Sequence, residues 1–263
     1  MRAFLTACIL LAFTAAFGQG GQPGQTAPAE QPINPDRPNL TNGAGITPVG
    51  RIVLELGYRQ THGYGATLQE WGDGPTWRYG VNQRLEVRLV SPAYAVDDLG
   101  DKGWEDTHIG FKYLVKDGGD GGGFRKPSYA VVMSTSVPTG SGGFRSKVML
   151  PLFIGIAVFD FGSGGGLGAN VAGQSQLGAN GLPFLLYSLS LSYNHSLGGP
   201  WAAYFESYTL VPSGSGNGSA GRFVDGGVQY LLTNDCMLDA SAGTRLDPHE
   251  QNAYVDAGVS FRF

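Results

Sequence analysis

The sequence has few cysteines, little charge and no long apolar run beyond its first residues. Two of its 263 residues are cysteines, and only Cys236 lies outside the N-terminal stretch that resembles an export signal. This excludes a disulfide framework and a cysteine-based metal site. The net charge is −4 and only 14 % of residues are charged. A basic surface for nucleic acid is therefore not expected.

The first residues have the features of a secretory signal peptide. Arg2 precedes an apolar stretch at 3–17, and small residues at 16 and 18 suit the −3 and −1 positions of a cleavage site. We predict cleavage after Gly18. A lipoprotein-type sequence, "LTAC" at 5–8, is the alternative, but most of the apolar run follows Cys8 instead of preceding it.

After this signal, no apolar run reaches the roughly 18 residues of a membrane helix. The longest, "VMLPLFIGIAVF" at 148–159, is interrupted by Pro151. The mature chain is therefore not expected to be a helical membrane protein. A closed barrel could still cross a membrane, because its strands pair every backbone N–H and C=O with one another.

Residues after Pro48 form alternating segments separated by turn residues. In the last, "YVDAGVSFRF" at 254–263, one set of alternate residues is apolar and the other is polar or small. Alternate side chains of a strand point to opposite faces, so each segment predicts a half-buried strand. The twelve segments are 51–59, 76–81, 84–90, 107–115, 128–137, 150–158, 166–174, 185–194, 201–210, 223–232, 236–246 and 254–263.

The number, length and spacing of these segments favour a membrane barrel. Their number is even, short connections such as 82–83 and 233–235 contrast with longer ones such as 212–221, and aromatics lie near strand ends. We predict an all-β fold, a 12-stranded antiparallel transmembrane β-barrel of the bacterial outer membrane. A periplasmic β-sandwich is the alternative. Outer-membrane lipid is then one partner. The barrel-assembly machinery is another, reading Phe261 and Phe263 as a C-terminal assembly signal.

The inward face of this barrel would collect six basic and six acidic residues. They could form a salt-bridged, plugged interior, or line a water-filled lumen that selects solutes. Arg78 and Glu86 would lie opposite each other if their hairpin centres on Asn82. The predicted domains are the signal peptide 1–18, a Gln/Pro/Gly-rich segment 19–48 that could partly enter the lumen, and the barrel 49–263. The predicted lumen-lining residues are Glu55, Arg59, Arg78, Glu86, Arg88, Lys112, Glu206, Asp225, Asp239, Arg245, Asp256 and Arg262.

The segment at 150–158 departs from the alternating pattern, because both of its faces are apolar. Part of the lumen could therefore be apolar and suit a hydrophobic solute. Contact with the N-terminal segment is the other explanation, and both stay open at this point.

No motif points to catalysis, a metal or a cofactor. "GSGGGLGA" at 162–169 contains a match to the dinucleotide-binding pattern, but no acidic residue lies between Asp160 and Glu206. The four histidines, at 62, 108, 195 and 249, are scattered without ligand spacing. "NHS" at 194–196 is the nearest approach to a Ser–His pair and has no third group. We therefore do not expect an enzyme.

Several stretches resemble a bacterial family of outer-membrane transporters labelled for the phenol-degradation (MetA) pathway. The resemblance runs from about residue 36 to the end of the chain. It implies an outer-membrane barrel that passes small, hydrophobic or aromatic solutes passively; a closed structural or adhesive barrel is the alternative. The family has no catalytic residues to carry over. The stretches are "DRP" (36–38), "RYGVNQRLEVRL" (78–89), "DTHIGFKYLV" (106–115), "SVPTGS" (136–141), "YFE" (204–206), "DGGVQYLLTND" (225–235), "LDASAG" (238–243) and "GVSFRF" (258–263).

Overall fold

The computed structural model describes residues 31–63, 66–178, 180–214, 216–247 and 252–263. The predicted signal peptide and its cleavage site lie outside these residues. Pro32–Phe263 form one structural unit. Among the described residues, no helix is long and apolar enough to cross a membrane.

Twelve antiparallel strands of the described chain form a closed barrel, as the sequence predicts. Neighbours along the chain pair with each other, and the last strand pairs with the first to close the wall. Two short additional strands, β4 and β5, lie beyond the ends of β3 and β6, where β4 pairs with β2 and β5 pairs with β4. The strands are β1 (Ile52–Gly63), β2 (Ala66–Asn82), β3 (Leu85–Val90), β4 (Tyr94–Asp97), β5 (Lys102–Trp104), β6 (Thr107–Lys116), β7 (Ser128–Val137), β8 (Pro151–Asp160), β9 (Gly165–Leu177), β10 (Pro183–Gly198), β11 (Trp201–Pro212), β12 (Gly221–Thr233), β13 (Cys236–Arg245) and β14 (Asn252–Arg262).

The alternation of the sequence separates an outer face from an inner one. On β10, Leu189 and Leu191 are about half exposed, while Ser190 and Ser192 are buried. On β14, Val255 is exposed and Asp256 is buried. This is the reverse of a water-soluble sandwich, which buries apolar residues and exposes charges.

The exposed apolar side chains form a band around the barrel wall. A surface this apolar is unfavourable in water and favourable against lipid. The outward face is therefore the membrane-facing face of a transmembrane barrel. Its larger members include Trp77, Tyr79, Val87, Leu89, Ile109, Phe111, Tyr113, Phe153, Leu185, Tyr187, Leu189, Leu191, Tyr193, Phe205, Val228, Leu238, Val255, Phe261 and Phe263.

Short turns lie at one end of the barrel, hereafter the short-turn end. They are 83–84, 161–164, 199–200 and 234–235. The chain also ends there, where the Phe263 N–H donates to the Ile52 carbonyl at 2.8 Å. In outer-membrane barrels this is the periplasmic end. The connection 117–127 is the exception, because it is long and lies at the same end.

The register of the β2–β3 hairpin differs from the sequence prediction. The turn is formed by Gln83 and Arg84 instead of Asn82 and Gln83, with an irregularity between Gly80 and Asn82. Arg78 therefore lies directly opposite Arg88, and Glu86 lies opposite Gly80. The expected pairing of Arg78 with Glu86 as direct cross-strand neighbours is wrong. Their side chains still meet diagonally.

Candidate functional site

The twelve charged residues predicted to face inward differ little in burial. Ten are buried, and Arg59 and Arg88 are half-buried. Ionised groups are rarely buried unless they are paired. Arg78 is an example of a buried charge that is paired, because its guanidinium lies 2.7 Å from Glu55 and 2.9 Å from Glu86.

The residues before β1 hydrogen-bond to the inner wall; residues 33–48 are hereafter the inner segment. The Ile33 N–H donates to the Asn234 carbonyl at 2.8 Å, at the short-turn end. At the other end of the inner segment, Val49 forms a bridge with Gly80, again near a short turn. Between these points the segment contacts β6 on one side of the barrel and β11 on the other. It therefore enters and leaves at the same end.

Asp36 binds the cations of one side of the barrel. Its carboxylate accepts from Lys112 Nζ at 2.8 Å and lies 2.8 Å from Arg88 and 3.9 Å from Arg78. Burial alone would raise the pKa of the Asp36 carboxyl, but Arg78, Lys112 and Arg88 hold that pKa well below its usual range. Asp36 is therefore an anion across the physiological pH range.

Arg37, the next residue, binds carboxylates on the neighbouring part of the wall. Its guanidinium donates to Asp73 on β2 and Asp256 on β14, and to Asp239 on β13 at 3.2 Å. Adjacent residues of opposite charge thus bind neighbouring parts of the wall, Asp36 on β2, β3 and β6 and Arg37 on β2, β13 and β14. The inner segment is fastened to this half of the wall by charge-assisted hydrogen bonds that are largely shielded from water.

Two glycines make room for the Arg37 guanidinium. Gly57 and Gly258 are direct partners across β1 and β14. A Cβ at either position would meet Arg37 Nη2 well inside van der Waals contact. These glycines are therefore part of the Arg37 binding site.

Gly258→Ala should displace Arg37 and raise single-channel conductance, because the new methyl group occupies the place of the guanidinium. Planar-bilayer recording measures it. Gly173→Ala is the matched control, since its Cβ would meet no atom closer than 3.9 Å. Equal conductance for both variants would contradict this role of Gly258.

The tip of the inner segment is held by Glu206. The Glu206 carboxylate accepts from Leu40 N at 2.8 Å, from Thr41 N at 2.7 Å and from Thr41 Oγ1. On neighbouring β10, Ser192 Oγ accepts from Asn39 at 3.1 Å. On the opposite side, Arg88 donates to Asn42 Oδ1 at 3.2 Å.

Glu206→Gln should make the tip mobile, because an amide lacks one of the acceptor oxygens and the negative charge. Hydrogen bonds to charged groups contribute roughly 1.5–3 kcal/mol each. We expect displaced-tip states to become at least about tenfold more populated, visible as frequent current fluctuations. Ser190→Ala, which removes a neutral partner of Thr41, should have a much smaller effect. Indistinguishable traces for the two variants would contradict the role of the carboxylate.

Cavities lie on both sides of the inner segment along the barrel axis. One of about 780 Å³ lies at the short-turn end, beside Gln83 and Asp160. Beyond the segment lie a cavity of about 280 Å³ beside Leu152 and Leu186, and one of about 430 Å³ beside Arg59 and Tyr254. Asn42 lines all three. The inner segment therefore separates the cavity at the short-turn end from the two beyond it.

The inward apolar residues of the segment at 150–158 both contact the inner segment and line a cavity. Ile156 packs with Ala44 of the inner segment, together with Ala130 and Val132. Leu152 and Ile154, farther from the short-turn end, line the cavity of about 280 Å³. Contact with the inner segment explains one half of this apolar strand, and an apolar cavity wall explains the other.

Residues 35–263 match the family described as "Putative MetA-pathway of phenol degradation". The chain belongs to this family. No curated protein matches the chain. The described residues contain no group of three or more His, Cys, Asp or Glu side chains that could hold a metal ion.

Solved structures with a similar fold include outer-membrane channels and porins. The COG4313 outer membrane channel from Pseudomonas putida F1 has a TM-score of 0.63 at 11 % identity, over 88 % of this chain and all of that one (100 %). The NanC porin has a TM-score of 0.57 at 11 % identity, over 79 % and 98 % of the two chains. The KdgM porin, in complex with disordered oligogalacturonate, has a TM-score of 0.52 at 9 % identity, over 80 % and 99 %. The phenol-degradation family member thus has the fold of a bacterial outer-membrane channel, as predicted.

Several stretches that resemble the phenol-degradation family meet in the lumen. "DRP" supplies Asp36 and Arg37, "RYGVNQRLEVRL" supplies Arg78 and Arg88, and "DTHIGFKYLV" supplies Lys112. Sequence reasoning singled out the wall residues and missed Asp36, Arg37 and Asp73. The charged "DR" pair in an otherwise Pro/Gly-rich stretch was the available signal.

Another pair of family stretches meets at the opposite end of the barrel. Asp106 accepts from the Gly140 and Ser146 N–H groups at 2.8 Å each, and from the Ser146 hydroxyl. Burial raises the pKa of the Asp106 carboxyl, but these hydrogen bonds outweigh it and hold the pKa below its usual range. The "SVPTGS" loop is thereby fastened to the start of β6 by an ionised carboxylate.

Proposed function

We propose that this protein is a channel that passes small hydrophobic or aromatic solutes passively across the outer membrane, and that the inner segment closes its lumen at rest. The family and the fold support a channel. The proposed solute class is supported chiefly by the cavity of about 280 Å³.

That cavity combines apolar walls with neutral hydrogen-bonding groups. Its apolar residues include Val132, Leu152 and Leu186, and hydroxyl and amide groups such as Ser188 and Asn170 lie among them. Apolar walls with a few polar groups are typical of sites for small organic molecules. The lining contains Arg88 and His108 but no carboxylate, so neutral and weakly acidic ring compounds are favoured over cations.

The other cavities suit such a solute less well. The cavity of about 430 Å³ is lined by Asp36, Glu55 and Asp73 as well as by arginines. A solute without charge would lose water there and gain no ion pair. We therefore propose that an apolar solute passes along the β7–β10 side and displaces the tip at Leu40–Asn42.

The test is flux of phenol into vesicles that contain the refolded protein, with an Ile154→Ser/Leu186→Ser variant. We expect flux above protein-free vesicles, and a clear loss of phenol flux in the variant with the small-ion current left at the wild-type value. Val53→Ser, a similar change on the buried inner face of β1, should leave phenol flux unchanged. Unchanged phenol flux in the double variant would refute the apolar route.

The alternative is a closed barrel with a structural or adhesive role. It predicts neither phenol flux nor ion current, even after the inner segment has been released by substitution of Asp36 and Arg37. Ion current from the released barrel alone would support a channel and leave the solute class to the flux measurement.

A further inference from the structure

The β6–β7 connection, residues 117–127, is longer than the short-turn end requires. The other connections there contain two to four residues. This one contains a short 3₁₀ turn, Gly123–Arg125, and ends before β7 begins at Ser128. It is hereafter the rim loop.

The rim loop folds onto the membrane-facing side of the barrel. The Phe124 ring lies 5.0 Å from the Phe159 ring and 5.2 Å from the Phe161 ring. On β8, Phe159 lies in the same alternation as Phe153, which faces outward and is 47 % exposed. Phe124 itself is 68 % exposed. Three aromatic rings therefore form a cluster at the outer edge of the short-turn end.

The acidic residues at this loop line the lumen, and the basic ones do not. Asp117, Asp120 and Asp160 line the cavity of about 780 Å³ inside the barrel. The Asp160 carboxylate also accepts from the Gly121 N–H at 3.2 Å and from the Gly162 N–H at 2.6 Å, which ties the rim loop to β8.

The cations at the rim loop are exposed and do not line that cavity. They are Lys116, the last residue of β6 before the loop, and Arg125 and Lys126 within it. Lys116 Nζ lies 5.9 Å from the centroid of the Tyr129 ring, which is itself exposed on the outward side. Exposed cations beside aromatic rings, at the edge of an apolar band, are the arrangement found where proteins meet lipid headgroups.

We propose that the rim loop forms a binding site for the phosphate-bearing headgroup of an anionic phospholipid in the adjacent leaflet. Lys116, Arg125 and Lys126 would bind the headgroup, and Phe124 and Phe161 would pack against the glycerol and upper acyl region. A lipid is favoured over a protein partner because the site continues directly into the outward apolar band, which lipid already covers. This site is independent of whether the lumen conducts.

The experiment is native mass spectrometry of the full-length protein titrated with phosphatidylglycerol or phosphatidylethanolamine. Each basic residue near a membrane surface strengthens binding to anionic lipid several-fold, so we expect a preference for phosphatidylglycerol of about tenfold or more. Lys116→Ser/Arg125→Ser/Lys126→Ser should abolish the preference. Equal affinity of the wild type for the two lipids would overturn the proposal.

Two further variants separate a built site from general attraction by charge. Lys102→Ser/Arg145→Ser/Lys147→Ser removes the same charge from exposed residues at the opposite end and should keep the preference. Phe124→Ser leaves the charge unchanged and should weaken phosphatidylglycerol binding by several-fold. Loss of preference in both triple variants, or full retention in the rim-loop triple variant, would overturn the site. The Phe124→Ser measurement decides the matter if the rim-loop triple variant does not fold.

Discussion

Asp36→Arg/Arg37→Asp will conduct far more current than the wild type, because each residue then faces a wall of its own charge. In the wild type, Asp36 lies 2.8 Å from Lys112 and 2.8 Å from Arg88, and Arg37 binds Asp73, Asp239 and Asp256. Breaking a buried ion pair costs roughly 3–5 kcal/mol. Loss of even one shifts a bound–released equilibrium by roughly a hundredfold or more. Single-channel recording in planar bilayers measures the change.

The control for this exchange lies elsewhere in the same chain. Asp101 and Lys102 are also adjacent and opposite in charge, but both are exposed at the far end of the barrel. Asp101→Lys/Lys102→Asp should leave conductance unchanged. If the Asp36 and Arg37 exchange left conductance at the wild-type value in a correctly folded barrel, the inner segment would not be the closure.

Arg78→Met will lower the stability of the barrel by several kcal/mol, about 3–5. The Arg78 side chain is 1 % exposed and donates to Glu55 at 2.7 Å and to Glu86 at 2.9 Å and 3.1 Å. Its loss leaves two buried carboxylates without their main cation. We expect the free energy of unfolding to fall by about 3–5 kcal/mol, measured by denaturant unfolding in lipid vesicles.

A second substitution tests whether the unpaired charge is the cause. Arg78→Met/Glu86→Met should recover part of the loss, because apolar replacements of a buried pair are often neutral or better. Arg84→Met, at the exposed turn of the same hairpin, should change stability by less than about 0.5 kcal/mol. If Arg84→Met lowered the free energy of unfolding as much as Arg78→Met, the loss would come from disturbing the β2–β3 hairpin and not from the unpaired carboxylates.

The barrel could be predicted from alternation because each strand has one lipid-facing side. For β7 the predicted and observed bounds are both 128–137. β2 was predicted to begin at 76 but begins at Ala66. The reason is local: Gly72, Asp73 and Gly74 all have positive φ, so the alternation breaks inside the strand and resembles a turn.

The contacts of the inner segment inside the lumen are harder to predict from the sequence than the residues of the wall. Inward charges follow from the same alternation that defines the outer face. Asp36 lies 76 residues from Lys112, and Arg37 lies 219 residues from Asp256. No periodic pattern connects residues so far apart in a chain without regular structure, so the pairing follows only from the closed barrel.

The position of Arg37 links binding of the inner segment to closure of the barrel. Gly57 and Gly258, the pair that accommodates its guanidinium, lie on the strands that close the barrel, and its carboxylate partners lie on β2, β13 and β14. Contacts between the two ends of a chain have the highest contact order and form late. Arg37 therefore joins the inner segment to the strands that meet where the barrel closes. We therefore expect the inner segment to be bound and the last strand to be paired in the same late step of folding. A barrel that closed without its inner segment would leave Asp239 and Asp256 without the Arg37 guanidinium.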